Sequence, residues 1–72
     1  MEQQENFSGG NPHDDLDAYL DLERAAAEGR AAERGWTTVR VLPPGAVVTM
    51  EYQAGRLNFL VDGGRVRRCW LG

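Results

Sequence analysis

One cysteine, one histidine and no lysine set the first limits on this 72-residue chain. Cys69 alone cannot form an intramolecular disulfide, which excludes the stapled framework of many small secreted domains. It reads as a small buried or edge hydrophobe, with an intermolecular disulfide as the sharper alternative. His13 lies in a polar segment far from Cys69, so no nucleophile–base pair is visible. No cluster of histidine, cysteine and carboxylate offers a metal ligand set. No enzyme activity, cofactor or metal is therefore expected. Long apolar runs are also missing. Met1 is followed by Glu-Gln-Gln-Glu-Asn, without the basic start and apolar stretch of a signal peptide and without a membrane span. The expected location is cytoplasmic, or secreted if a leader was removed, with no membrane partner.

The chain is short enough for one domain with a small core. Such a size favours a binding module working through one surface over an enzyme with an enclosed pocket. The net charge of −3 is unevenly spread: Met1 to Glu33 holds nine acids and two arginines, Arg34 to Gly72 two acids and six arginines. A positive half could suggest nucleic acid. Here the arginines alternate with apolar residues in strand pattern and no aromatic stacking motif accompanies them, so no nucleic-acid partner is expected.

Residues 1–13 are polar and contain Ser8-Gly9-Gly10-Asn11-Pro12; they read as a disordered tail ahead of a single domain, 14–72. Leu16, Tyr19, Leu20 and Leu22 read as a short packed segment rather than a backward extension of the helix that follows. Glu23 to Arg34, ERAAAEGRAAER, is that helix, with Asp21 as the expected N-cap and Gly35 as the stop. Ala26, Ala27, Arg30 and Ala31 share one stripe, and Gly29 suggests a close approach to another element. Trp36 to Leu42 (WTTVRVL) reads as a strand ended by Pro43-Pro44-Gly45. Arg56 to Asp62 places Leu57, Phe59 and Val61 on one face and Arg56, Asn58 and Leu60 on the other. Asp62-Gly63-Gly64 is a hairpin turn, and Arg65 to Leu71 returns as a third strand. The order implies an α+β domain: a single helix packed on a small mixed β-sheet with a long exposed loop.

The segment from Ala46 to Gly55 fits least well as scaffold. It is bounded by Pro-Pro-Gly and by Gly55, it is longer than most connections in a compact domain, and Val47, Val48 and Met50 are unusual in an idle solvated loop. A further strand is the bland reading of VVTMEY. Gly45 to Asn58, GAVVTMEYQAGRLN, resembles the reactive loop and following strand of the potato inhibitor I family of serine protease inhibitors. It is most similar to that family's small bacterial and fungal relatives, the elastase inhibitors among them. Leu42-Pro43 before the loop, Arg56-Leu57-Asn58 after it, the terminal Gly72 and the helix sequence carry the same resemblance, over roughly residues 19–72.

That resemblance implies a function and roles. The chain would inhibit a serine protease of subtilisin-, chymotrypsin- or elastase-like type, with Met50-Glu51 as the scissile-type bond. Met50 would fill the primary specificity pocket. Val47, Val48 and Thr49 would occupy the subsites before it, and Glu51 and Tyr52 the leaving-group side. Arg56 would reach back to Thr49 and Glu51, with Asn58 beside it as loop support. These relatives commonly have two cysteines, and here Cys69 has no partner. The alternative reading is a non-inhibitory interaction module of the same fold, in contact through the loop and arginine face or through Cys69, Trp70 and Leu71. A monomer is expected, with a dimer through Cys69 left open.

Overall fold

A computed structural model describes residues 13–47 and 52–72. Its elements follow the order read from the sequence: a short 3-10 helix over Leu16–Tyr19, helix α1 over Arg24–Glu33, and strands β1 (Thr38–Leu42), β2 (Arg56–Asp62) and β3 (Arg65–Leu71). β2 is the central strand, parallel to β1 and antiparallel to β3. One helix on a small mixed sheet is the α+β architecture that the patterning implies.

Helix α1 ends where glycine permits it. Gly35 has φ +92°. Its N–H donates to the Ala32 carbonyl at 3.1 Å, and the Trp36 N–H reaches the Ala31 carbonyl at 3.0 Å. This paired closure of a helix C-terminus needs a left-handed residue at the stop position. The start of the helix corrects the expectation. Asp21 is not the N-cap; Glu23 occupies that position and makes no side-chain cap. Asp21 instead has φ 67°, a conformation aspartate tolerates better than most residues. Its N–H donates to the Val66 carbonyl at 2.8 Å, and the Val66 N–H donates to Leu22 at 2.9 Å. Residues 21–24 are thus drawn to the outer edge of β3, and that pairing outcompetes a cap. Arg67 marks the same place from the other side: Leu60 pairs with Arg68 but Val61 with Val66, so Arg67 is the extra residue of a bulge. Its guanidinium meets the Asp21 carboxylate at 3.1 Å.

The hydrophobic core lies between one face of the sheet and the helical elements. Tyr19, Ala27, Ala31, Trp36, Leu57, Phe59 and Val66 are buried, and Leu16, Leu22, Val39, Val41, Val61 and Cys69 pack around them. The Tyr19 and Phe59 rings meet at 5.3 Å with a 42° tilt. Alanines at positions 27 and 31 bring α1 close to this layer. Ala26 is exposed, and Gly29 faces open space, so neither belongs to the packed stripe. The close approach is made by Ala27 and Ala31, two residues to either side and off the Gly29 face, which leaves Gly29 as a plain cost to the helix of about 1 kcal/mol. The first strand begins two residues later than the pattern suggests, because Trp36 is committed to the helix stop and to the core.

Asp14 closes the other end of this core. Its carboxylate, with no side-chain exposure, accepts from the Tyr19 hydroxyl at 2.5 Å, from Trp36 Nε1 at 2.9 Å and from Arg34 Nη1 at 2.7 Å. Burial by itself pushes the Asp14 carboxyl up, but the donated hydrogen bonds and the Arg34 charge outweigh it, and the group sits below the ordinary carboxylate range. The same burial, with the Asp14 carboxylate beside it, pushes the Tyr19 hydroxyl well above its ordinary value.

Candidate functional site

The parallel pairing of β1 with β2 decides where the long connection must run. Leu42 lies opposite Leu60 and Thr38 opposite Arg56. A chain leaving β1 after Leu42 therefore has to travel back along the whole strand, about 13 Å at strand rise, before entering β2. Residues 43–55 make that journey.

Each end of the connection is shaped by a glycine. Ala46 N–H closes on the Pro43 carbonyl at 3.2 Å with Gly45 at φ +81°, and Arg56 N–H closes on the Gln53 carbonyl at 3.2 Å with Gly55 at φ +80°. Both are four-residue turns with a left-handed third position, and Pro44 presets the first turn at its second position. Past these turns the two shoulders stand out from the body. Val47 is 87% exposed and Tyr52 72% exposed. Val48, Thr49, Met50 and Glu51 lie outside the described residues.

Beneath the shoulders is the sheet face opposite the core. Alternation along β2 aims Leu57 and Phe59 into the core and Arg56 and Asn58 the other way, as the sequence pattern requires. A face turned away from the helical elements of the described residues would ordinarily be wet. Here Arg56 is 7% exposed and Asn58 0% exposed. Two buried polar groups of this kind must be satisfied by the protein, and their partners show what they hold.

Arg56 holds the last residue. Its Nη2 donates to the Gly72 main-chain oxygen at 2.6 Å and its Nε to the same oxygen at 3.2 Å; Nη1 lies 3.4 Å from the Gln53 Oε1. The backbones are also joined. Gly72 N–H donates to the Arg56 carbonyl at 2.9 Å, and Gln53 N–H to the Gly72 oxygen at 3.1 Å. Arg56 therefore ties the Gln53 end of the connection to the end of β3. The contacts to Thr49 and Glu51 implied by resemblance fall outside the described residues.

Asn58 holds a second cation in place. Arg40 Nε donates to Asn58 Oδ1 at 2.8 Å, and Asn58 Nδ2 donates to the Trp70 carbonyl at 3.2 Å. One side chain thus links β1 to β3 across β2. Arg40, Gln53 and Gly72 escaped the sequence reading as support residues. Alternation places Arg40 on a strand face, but only the parallel register, Arg40 opposite Asn58, brings it beside the support. Farther along the same face the Arg68 guanidinium lies 5.3 Å from the Trp70 ring centroid, a cation–π contact.

Among the described residues no group of histidine, cysteine and carboxylate side chains could hold a metal. Cys69 is free and half-buried against the core. Burial, aided by the Asp14 and Asp17 charges, pushes its thiol up to about 12, which removes the thiolate that reactivity needs. Val47 and Tyr52 are exposed, and the Gln53–Arg56 end of the connection is braced by Arg56 and Gly72. Residues 16–71 match the model of a family described as the peptidase inhibitor I78 family. No curated protein and no solved structure matches the chain.

Proposed function

We propose, from the premise that the chain belongs to the peptidase inhibitor I78 family, that it inhibits its target by offering residues 47–52 as a substrate-like loop to a serine protease. Inhibition of a peptidase follows from the family. The serine class and the loop are our reading, and one observation carries them: both described shoulders of the 43–55 connection are exposed while Arg56 and Asn58 are buried at its base. Exposed shoulders over a buried, hydrogen-bonded polar support are what a bait loop requires. The likeness of Gly45–Asn58 to potato inhibitor I reactive loops supports the same assignment, as does the shared order of helix, strand, long loop and hairpin.

In this reading Met50 enters the primary pocket of the protease. Its unbranched apolar side chain suits the hydrophobic pockets of subtilisin-, chymotrypsin- or elastase-like enzymes and offers no charge to an acidic one. Val47, Val48 and Thr49 precede it in the cleft; Glu51 and Tyr52 follow. The protease serine attacks the Met50 carbonyl carbon, and the protease histidine carries the serine proton toward the Glu51 nitrogen. Where an ordinary peptide then departs, this one is held by the turn at Gln53–Arg56 and by the Gly72 contacts. A loop anchored at both ends loses less entropy on docking than a free peptide, so contacts that merely bind a flexible substrate give much tighter association here. With no disulfide to close the loop, the restraint falls to Arg56, Asn58 and their partners.

The test is incubation of the chain with subtilisin and with chymotrypsin, following residual protease activity and the mass of the chain together. The expected result is inhibition at sub-micromolar chain with slow accumulation of a single nick between Met50 and Glu51. Rapid cleavage at many sites with no loss of protease activity would refute the mechanism.

A further inference from the structure

Gly72 sits closer to the loop than any side chain would permit. A Cβ built on it would stand 2.4 Å from Tyr52 Cδ1 and 2.6 Å from Cε1, well inside contact distance. Its φ of +92° is likewise one that L residues rarely adopt. The Tyr52 ring therefore occupies the space that a residue with a side chain would need. Tyr52 is nonetheless largely exposed, so one part of its ring rests on the glycine and the remainder faces outward. Gly72 is buried and makes main-chain bonds to both Gln53 and Arg56, and its oxygen takes the Arg56 guanidinium. Tyr52 and Gln53 of the connection and Arg56 at the start of β2 thus converge on one glycine.

We propose that Gly72 is a positioning residue for inhibition: a seat that keeps Tyr52 and Gln53 in register after the Met50-Glu51 bond is cut. The proposal rests on the reading of that bond as the scissile one. On cleavage the protease serine oxygen bonds to the Met50 carbonyl carbon, the Met50-Glu51 C–N bond breaks, and the serine proton ends on the Glu51 nitrogen, which becomes a free amine. Religation is the reverse of the same step and consumes nothing else. Its rate depends on how near the Glu51 amine stays to the acyl carbon. Glu51 is bonded directly to Tyr52, so a seat under the Tyr52 ring restrains the amine one residue away. Tyr52 would then serve two masters: part of its ring for the protease, part for Gly72.

Chemical synthesis allows a discriminating series: the natural chain, Gly72→Ala in the L form, and the D-alanine replacement of Gly72. A D residue accepts positive φ and carries its methyl on the other side of the Cα. The L form is expected to be cut by subtilisin at Met50-Glu51 about tenfold faster and to inhibit about tenfold less, the loss that weaker pre-organisation implies, while the D form stays close to the natural chain. An L form indistinguishable from the natural chain overturns the seat. So does a D form as impaired as the L form. A second measurement separates this from the inhibitor reading. In the free natural chain the Gly72 α-protons should carry a ring-current shift from Tyr52 in proton NMR, and the shift should vanish in Tyr52→Ala. Absence of the shift overturns the seat whatever the inhibition shows. A clear shift in a chain that inhibits neither subtilisin nor chymotrypsin overturns the inhibitor reading and leaves the contact standing.

Discussion

Arg56 and Gly72 are bound to each other twice over: the guanidinium donates two hydrogen bonds to the Gly72 oxygen, and the Gly72 N–H returns one to the Arg56 carbonyl. Removing the side chain leaves a buried oxygen with fewer donors and a void at the base of the connection. Bonds from a charged donor contribute about 1.5–3 kcal/mol. Arg56→Ala is therefore expected to cost about 3 kcal/mol, or roughly 10–20 °C in Tm for a domain of this size. At temperatures where the variant remains folded, its Met50-Glu51 bond should be cut at least tenfold faster by subtilisin, and Arg56→Lys should fall between. Mass analysis of timed digests reads this directly. An Arg56→Ala chain as resistant as the natural one would remove Arg56 from loop support.

Met50 is the natural place to test pocket assignment. Met50→Lys puts a long cation where an apolar side chain stood. It should weaken inhibition of chymotrypsin by a factor of 100 or more, the scale of burying an unpaired charge in an apolar pocket, and create inhibition of trypsin. The measurement is the inhibition constant against both enzymes for both chains. Unaltered preference would show that another residue fills the pocket.

Asn58 is a bridge rather than a bystander. It accepts from Arg40 and donates to the Trp70 carbonyl while fully buried. Asn58→Ala leaves two partners unsatisfied and is expected to cost about 2–3 kcal/mol. Arg40→Ala, removing a half-buried donor, should cost less. Because the two residues share one bond, the double variant should be less destabilised than the sum, by about 1 kcal/mol. Urea denaturation of the four chains gives the answer; strict additivity would mean the Arg40–Asn58 bond adds nothing.

The strands and hairpin were legible in the sequence because period-2 alternation and Asp62-Gly63-Gly64 are local signals. β2 and β3 run over the residues that the pattern marks, and Gly63 and Gly64 take positive φ, as a two-residue hairpin turn demands. The placement of Arg56 and Asn58 off the core face followed from the same alternation, but their burial did not. What the sequence hid was non-local. Asp21 looks like a helix cap, and only the pairing of residues 21–24 with the edge of β3 reveals why it is not one. Arg40 looks like any strand arginine until a parallel register sets it against Asn58. Asp14 looks like one more acid in an acidic segment; its three donors come from Tyr19, Arg34 and Trp36, up to 22 positions away. Gly72 stood out as a terminal glycine, but its role depends on where Tyr52 lands.

Asp14 predicts an acid-labile fold with a defined sign. Its carboxyl is lowered from its ordinary value in the folded chain: burial raises it, and the bonds from Tyr19, Trp36 and Arg34 more than reverse that. A lowered folded value means that the stabilisation is fully present above the unfolded value. It is lost as pH falls below about 4 toward the folded value. Asp14→Asn should flatten this limb of the stability curve and lower Tm at pH 7 by roughly 10 °C, since an amide cannot accept from three donors as a carboxylate does. Thermal melts between pH 2 and 7 for both chains test it. Parallel pH profiles would show that other carboxylates govern the acid limb.

Cys69 should behave as a hydrophobe in the native chain. Packed beside the core, with its thiol pushed up to about 12 by burial and the neighbouring acids, it offers almost no thiolate at neutral pH. Reaction with a disulfide reagent at pH 8 is therefore expected to be at least tenfold slower than in the urea-unfolded chain, because exchange proceeds through the thiolate and requires access. Cys69→Ser should leave inhibition unchanged. It should cost about 1 kcal/mol or more in stability, from exchanging a packed sulfur for a hydroxyl with no assured partner. Kinetics of thiol labelling with and without urea decide the matter. Native labelling as fast as unfolded labelling would mean that the thiol is presented to solvent, and would reopen covalent dimerisation through Cys69 as a property of the folded chain.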